Sequence, residues 1–325
     1  MRDVGLAKRV IQNLPTFDLD AYLRSRRAVV DRALEGCLKR ASVRSGNIWK
    51  AMRYGVFPGG KRIRPILVLA AGELFGAKRK ALLPFACAVE LIHCYSLIHD
   101  DLPALDNDDL RRGAPTNHRV FGEGMALLAG DGLLTEAFHV LSGPEIVNKL
   151  PAELVLKLIR ELSHAVGVNG LVGGQAFDLE AERCEVDIGV VEYIHMRKTG
   201  ALIRASIRIG AQVAGAKAAD LRRVSRFGEA LGLAFQIADD ILDILGETAP
   251  GERAESGRSE WNKATYPSVV GVAKAQDRLR ELQGHGLREL APFGAAGEAL
   301  RAITEQVVNR ALKTNGKPRS KEMHG

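Results

Sequence analysis

The chain has 325 residues, a formal net charge of +7 and only 5% aromatic residues. No apolar run reaches the roughly 18–20 residues of a membrane span, and the polar start over 1–9 does not match a signal peptide. The 4 cysteines form no CxxC pair, which favours a reducing cytoplasm. Since no nucleic-acid recognition module is visible, we expect the basic charge to serve acidic small molecules, with no nucleic-acid partner and no stable membrane insertion.

The first third of the chain is predicted to be helical, with one glycine-rich interruption. Apolar residues at helical spacing predict a helix over 18–41. In Gly59–Pro65, two glycines precede three cations; taken alone, this stretch indicates an anion site only weakly, and a basic loop is the alternative. Apolar core continues over 66–74, and a long apolar helix over 80–101 leads to the most acidic stretch of the chain.

That acidic stretch, here called the first cluster, has five aspartates within ten residues, from Asp100 to Asp109. Five like charges this close repel one another unless a cation lies among them. Their hard carboxylate oxygens suit Mg²⁺ or Ca²⁺ rather than zinc, and the spacing does not match an EF-hand. Because Arg111 and Arg112 follow directly, the pattern predicts a metal-bridged diphosphate site, with a solvated acidic loop as the alternative.

Further along, helices are predicted over 126–141 and 153–166, and amphipathic helices continue after 267 to about 312. The second cluster consists of Asp239, Asp240 and Asp243 within an apolar sequence. Residues i and i+4 share a helix face, so Asp239 and Asp243 are predicted to project together. Buried carboxylates without partners are costly, so we expect this cluster to face a metal or a polar cavity.

The two clusters resemble the first and second aspartate-rich motifs, DDxxxxD and DDxxD, of the trans-isoprenyl diphosphate synthases. The trailing LRRG over 110–113 is similar to farnesyl and geranylgeranyl diphosphate synthases of bacterial and plant type. These carry two extra residues within the motif, here including Pro103. We expect this proline to break the helix end and return Asp106 toward Asp100. The resemblance covers about residues 54–271.

The resemblance implies an all-α isoprenoid-synthase bundle around a central cavity, with the two clusters facing each other across one mouth, and a homodimer. We expect a single helical domain over 1–312 and a basic, disordered tail over 313–325. The implied reaction is Mg²⁺-dependent transfer of a dimethylallyl or geranyl group onto isopentenyl diphosphate. We expect farnesyl diphosphate (C15) as the product, with geranylgeranyl diphosphate (C20) as the alternative.

The resemblance also assigns roles to individual residues. The family places isopentenyl diphosphate near GGKRIRP, while the role of Arg62 there stays open. GGQAFD and HMRKTG, over 173–178 and 195–200, are similar to the motifs near the allylic substrate. The residues implied for isopentenyl diphosphate are Lys61, Arg64, His93 and Arg112. Those implied for the allylic diphosphate are Lys198, Thr199, Gln236 and Arg111. Those implied for three Mg²⁺ ions are Asp100, Asp106, Asp239 and Asp243.

Chain length is predicted to depend on Tyr95 and Ser96, one turn before Asp100. An aromatic residue here resembles farnesyl-type synthases, because its ring can block elongation. The alternative is a core tyrosine whose hydroxyl is satisfied. The Asp106–Asp109 run also occurs in geranylgeranyl-type sequences, which keeps the C20 alternative open.

One segment departs from the family pattern. The lysine that normally contacts the allylic diphosphate, in a loop before Lys263–Pro267, is absent, and Gly257 stands in its place. Either Arg258 or Arg253 replaces it, or the contact is lost.

Three other functions remain open at this point. A terpene cyclase would share the metals but would not need a second diphosphate site. A non-catalytic subunit of a heteromeric synthase would not need intact aspartates. A nucleic-acid-binding protein would leave the clustered aspartates unexplained.

Overall fold

The computed structural model describes residues 17–39, 46–182, 184, 186–246 and 265–313. The segment that holds Arg253, Gly257, Arg258 and Lys263 lies outside the described residues, and so does the tail from 314 onward. The hypothesis that an arginine replaces the missing loop lysine therefore stays a prediction, as does the division into one domain and a tail.

The described chain is nearly all helical, and the all-α prediction is confirmed. One short hairpin, which the sequence did not predict, pairs β1 (Leu110–Arg111) with β2 (Ala114–Pro115). A π-helical turn covers Met196–Gly200, and a 3₁₀ segment covers Ala291–Gly297. The α-helices are α1 (Leu19–Lys39), α2 (Gly46–Val56), α3 (Ile63–Leu74), α4 (Arg79–Asp100), α5 (Asn117–Phe121), α6 (Glu123–Leu141), α7 (Pro144–Val147), α8 (Ala152–Val166), α9 (Leu171–Ala181), α10 (Ile188–His195), α11 (Ala201–Val213), α12 (Ala218–Leu245), α13 (Tyr266–Val270), α14 (Val272–Leu290) and α15 (Glu298–Leu312).

Helix α4 lies at the centre of the largest core, packed against α3 and α6. Its sequence is apolar nearly all round, as expected for a helix enclosed by others. By length and composition alone it is the one described helix that could cross a membrane, yet 72% of its most apolar window is buried inside the protein. The physical role of this apolarity is therefore the core, and the first cluster lies at the end of the helix.

Pro103 follows the end of α4, where the backbone leaves the helix at Asp100. The N–H of Asp106 donates to the carbonyl oxygen of Asp100 at 2.8 Å. The predicted return of Asp106 toward Asp100 is thus confirmed for the backbone.

The second cluster lies on an unbroken stretch of α12, which packs against α11, α14 and α15. Ile237 and Ile241 are fully buried, whereas Asp243 is exposed and Asp239 is half-buried. The cluster therefore begins in the interior and ends at the surface.

Candidate active site

Arginines pair with three aspartates of the first cluster, Asp101, Asp108 and Asp109. Arg111 donates to Asp101 at 2.5 Å and to Asp108 at 3.1 Å, and both carboxylates are buried. Burial raises the pKa of Asp101 to about 6, while Arg111 opposes the shift. Arg119 donates to Asp109 at 2.6 Å at the surface. The other two members of this cluster, Asp100 and Asp106, are half-buried.

Lys198 connects the first cluster to the π-helical turn. Gly174 of α9 packs directly on this turn, because a Cβ there would lie 2.3 Å from the backbone N of Lys198. The Lys198 ammonium donates to Asp178 at 2.6 Å. Burial disfavours its charge, but Asp178, Asp100 and Asp106 raise the pKa of Lys198 above its ordinary value. Lys198 therefore shares one electrostatic environment with Asp100 and Asp106, and its proposed contact with the allylic diphosphate stays a prediction.

A hydrogen-bond chain joins the turn to the second cluster. Thr199 donates to Gln236 at 2.8 Å, and Gln236 donates to Asp240 at 3.0 Å. The backbone N–H of Tyr266 donates to the other oxygen of Asp240 at 2.7 Å, and His195 lies 3.3 Å from that oxygen. Burial raises the pKa of Asp240 to about 7, against the bonds from Tyr266 and Gln236. Both oxygens of Asp240 thus bond to protein.

The charge of Asp239 is influenced by Lys61 of the glycine-rich stretch and by Asp243. Burial raises the pKa of Asp239 to about 7, Lys61 acts in the opposite direction, and Asp243 raises it further. Asp239 in turn favours the charged form of Arg64. The second cluster therefore faces cations that come from the glycine-rich stretch.

Those cations form a group with His93. The guanidinium of Arg64 lies 3.4 Å from Nε2 of His93. Burial, followed by Arg64, Arg112, Arg111 and Arg62, lowers the pKa of His93 well below its ordinary value. Arg112 reaches the carbonyl oxygen of Gly59. Arg64, His93 and Arg112, three of the four residues predicted for isopentenyl diphosphate, thus share one electrostatic environment, and Lys61 precedes Arg64 by three positions in the same stretch.

Tyr95 lies in the core beside the first cluster. It is 4% exposed, and its ring meets that of His99 edge-on, with centroids 5.7 Å apart. Within the described residues its hydroxyl has no hydrogen-bond partner. Tyr95 is thus a core residue, as the alternative states, without a protein partner for its hydroxyl, and its role in chain length stays a prediction. Ser96 is also buried and donates to the carbonyl oxygen of His93 at 3.0 Å.

The carboxylates of the two clusters suit a hard cation whose coordination shell is completed by oxygen atoms of the substrate. In the described parts of the chain, no group of three or more His, Cys, Asp or Glu side chains is arranged to hold a metal ion. Mg²⁺ usually takes one or two protein carboxylates and fills the rest of its shell with water and phosphate oxygens. Asp239, whose charge burial disfavours, gains from any cation beside it. The residues present therefore fit Mg²⁺ in the presence of a diphosphate.

Sequence reasoning missed the residues that hold this site in place. Glu90 accepts from Arg62 at 2.7 Å, and Tyr266 and His195 contact Asp240. For Glu90 the signal was present, since one acidic residue stands alone in the apolar run of α4. No local signal marks the contact between Asp240 and Tyr266, which are 26 positions apart.

Comparisons with known proteins agree with this geometry. A family model described as polyprenyl synthetase matches residues 46–291. The chain is 45% identical to a farnesyl diphosphate synthase of Geobacillus stearothermophilus, over 90% of this chain and 98% of that protein. It is 42% identical to a geranylgeranyl diphosphate synthase of Cyanophora paradoxa, over 90% and 97%. The crystal structure of a geranyltransferase from Legionella pneumophila superposes with a TM-score of 0.80 at 34% identity, covering 90% of this chain and 97% of that one.

Proposed function

Because this chain belongs to the polyprenyl synthetase family and is a prenyltransferase, we propose that it condenses an allylic diphosphate with isopentenyl diphosphate to give farnesyl diphosphate. One observation carries the proposal. Lys198 interacts with Asp100 and Asp106, while Lys61 and Arg64 interact with Asp239. Cations beside both carboxylate clusters thereby suit two diphosphates, whereas a terpene cyclase needs only one.

In this proposal the protein positions both substrates. Lys198, Thr199, Gln236 and Arg111 hold the allylic diphosphate. Lys61, Arg64, His93 and Arg112 hold isopentenyl diphosphate, so that its double bond lies against the allylic carbon.

The family depends on magnesium in general. We propose three ions, held by Asp100, Asp106 and Asp239, with Asp243 as a further ligand or bound to a coordinated water. When bound, Mg²⁺ neutralises the charge that builds on the departing diphosphate.

The C–O bond of the allylic diphosphate breaks to leave an allylic cation, and the isopentenyl double bond forms the new C–C bond to it. A proton is then lost to the released diphosphate, which agrees with the absence of a convincing protein base among the predicted site residues. Apolar surroundings must exclude water, because water would quench the cation.

The product is proposed to be C15, with C20 as the alternative. Support for C15 comes from Tyr95, which is bulky and buried on the last turns of α4 before Asp100. Relatives named as farnesyl and as geranylgeranyl synthases are similar to this chain to almost the same degree, 45% and 42%. The comparisons therefore leave chain length to experiment.

We further propose a homodimer in the cytoplasm. The dimer follows from the family resemblance, and the cytoplasm fits four cysteines that form no disulfide in the described residues.

The test is to incubate the purified protein with isopentenyl and dimethylallyl diphosphates, with Mg²⁺ or with EDTA, and to size the products. We expect Mg²⁺-dependent farnesyl diphosphate. Mainly C20 would support the alternative product, cyclic hydrocarbons would support a cyclase, and no product would indicate a non-catalytic subunit.

A further inference from the structure

The side chain of Arg62 is buried, although Arg62 lies between Lys61 and Arg64, two residues proposed to bind isopentenyl diphosphate. It occupies the left-handed region at φ 53°, immediately before α3 begins. Non-glycine residues rarely adopt this conformation, which costs about 1–2 kcal/mol. Its side chain is only 1% exposed, whereas Lys61 is exposed and Arg64 is half-buried against His93. The left-handed backbone therefore separates Arg62 from its two neighbours.

Three contacts hold the guanidinium of Arg62. It donates to Glu90 of α4 at 2.7 Å, to Asp31 of α1 at 2.8 Å, and to the carbonyl oxygen of Val56, where α2 ends, at 2.6 Å. Burial opposes its charge, but Glu90 and Asp31 raise the pKa of Arg62 above its ordinary value. One side chain thus connects three helices at the point where the glycine-rich stretch passes between them. A planar guanidinium suits such a junction, because its donors have fixed directions.

A second arginine, Arg112, also contacts the glycine-rich stretch. Arg112 donates to the carbonyl oxygen of Gly59, and its guanidinium lies directly over Gly60. A Cβ at Gly60 would come within 2.8 Å of Arg112, so a larger residue there would displace the guanidinium. Arg112 is itself a predicted ligand of isopentenyl diphosphate, whereas the guanidinium of Arg62 is buried and bonded to Asp31, Val56 and Glu90.

We propose that Arg62 is a positioning residue for the isopentenyl diphosphate site. It fixes the backbone over 59–64 so that Lys61 and Arg64 point toward the substrate, and it does not touch the substrate. This proposal rests on the function proposed for Lys61 and Arg64.

The central variants are Arg62→Asn and Arg62→Lys. Asparagine tolerates the left-handed conformation, so the first variant removes the guanidinium without adding backbone strain. Lysine keeps the charge but has no planar fork with which to reach three partners. Arg208→Gln is the control, because Arg208 joins α11 to Glu161 of α8 through a part-buried ion pair away from the glycine-rich stretch.

We expect Arg62→Asn to raise KM for isopentenyl diphosphate about tenfold, the effect of losing roughly one charge-assisted contact. KM for the allylic substrate and kcat at saturating isopentenyl diphosphate should stay within about twofold of wild type. Arg62→Lys should recover part of the loss. Arg208→Gln should lower thermal stability and leave the ratio of the two KM values unchanged. Equal rises in both KM values, or no rise in either, would overturn the proposal.

Hydrogen exchange of the Ile66 amide, which donates to the carbonyl oxygen of Arg62 at 3.1 Å, gives a readout that does not depend on activity. We expect this amide to exchange at least about tenfold faster in Arg62→Asn than in wild type or Arg208→Gln. If Arg62→Asn does not fold, Glu90→Gln removes the main partner charge and should show the same pattern more weakly. Unchanged exchange in the folded variants would refute the role of Arg62. Wild type without prenyl transfer, but with fast exchange in the variants, would refute the proposed function alone.

Discussion

The two aspartate clusters present the same chemical groups on different supports. The first cluster follows the end of α4, and its buried members are paired with Arg111, which comes within the next ten residues of Asp101. The second lies on a continuous helix, and Asp240 receives its bonds from Gln236 and from the backbone of Tyr266. The paired aspartates of the first cluster thus rely on partners nearby in sequence, whereas Asp240 of the second cluster has one local partner and one that lies 26 positions away.

This difference shows two ways in which the charge of a buried carboxylate is compensated. Where the chain leaves a helix, a nearby arginine compensates the charge of Asp101. Within a helix, Asp239 relies on Lys61, which belongs to another part of the chain, and its pKa of about 7 shows that compensation is incomplete. The second cluster should therefore depend more strongly on a bound cation.

The largest expected effect is loss of turnover in Asp100→Ala and Asp239→Ala. Each should reduce kcat by about a thousandfold or more, because each removes a proposed metal ligand. Without metal, Asp239→Ala should be slightly more stable than wild type, since the variant removes a carboxylate whose charge burial disfavours. Steady-state kinetics and thermal unfolding are the measurements. Asp277→Ala, at an exposed pair with Arg280, is the control, and near-wild-type rates in either site variant would contradict the metal roles.

The second effect concerns the arginine that compensates the first cluster. Arg111→Gln should lower the free energy of unfolding by about 2–4 kcal/mol, because it leaves Asp101 and Asp108 buried beside each other without that cation. Arg119→Gln breaks an exposed pair with Asp109 and should cost less than about 1 kcal/mol. Urea unfolding compares the two variants. Equal losses would show that local pairing does not distinguish buried from exposed aspartates here.

The third effect concerns the helix that leads into the first cluster. Tyr95→Ala should open space beside His99 and shift the product toward C20 or longer. Tyr95→Phe keeps the ring and should leave chain length unchanged at little cost in stability, because the hydroxyl has no partner in the described structure. Chromatography of the dephosphorylated products measures both. A wild type that makes mainly C20, or an unchanged product from Tyr95→Ala, would place the floor of the cavity elsewhere.

The smallest expected effect concerns His93, which lies beside the guanidinium of Arg64. The folded state lowers the pKa of His93 below its ordinary 6.5, so the unfolded chain binds a proton more readily. Stability should therefore be fully present above pH 6.5 and should fall as the pH drops below it, by at most about 1.4 kcal/mol per pH unit from this group.

Denaturant unfolding of wild type and His93→Gln at several pH values isolates this contribution. The difference between the two free energies should shrink as the pH falls below 6.5. A constant difference would mean that His93 takes up its proton as easily in the folded state as in the unfolded one.

Much of the fold was predictable because helical periodicity is a local property. The long helices appear where apolar spacing indicates them, and the break at Pro103 follows from proline chemistry. The hairpin was not predictable, because two-residue strands carry no periodic pattern. Charge alone also could not reveal which of Lys61, Arg62 and Arg64 is buried. The left-handed backbone of Arg62 accompanies contacts with residues of three helices, which the local sequence does not indicate. Motif similarity supplied the remaining site residues.

The hairpin also separates the contacts of two adjacent arginines. Arg111 is the last residue of β1, whereas Arg112 is the first residue of the turn and has a left-handed backbone. Accordingly, Arg111 pairs with the first cluster and Arg112 reaches Gly59. The turn residues Arg112 and Gly113 both have positive φ, which leaves little freedom to shift the register. Inserting one residue before Arg111 would move Arg111 away from Asp101 and Arg112 away from Gly59, so an engineered chain must preserve the length of β1 and of its two-residue turn as well as the charge of the two arginines.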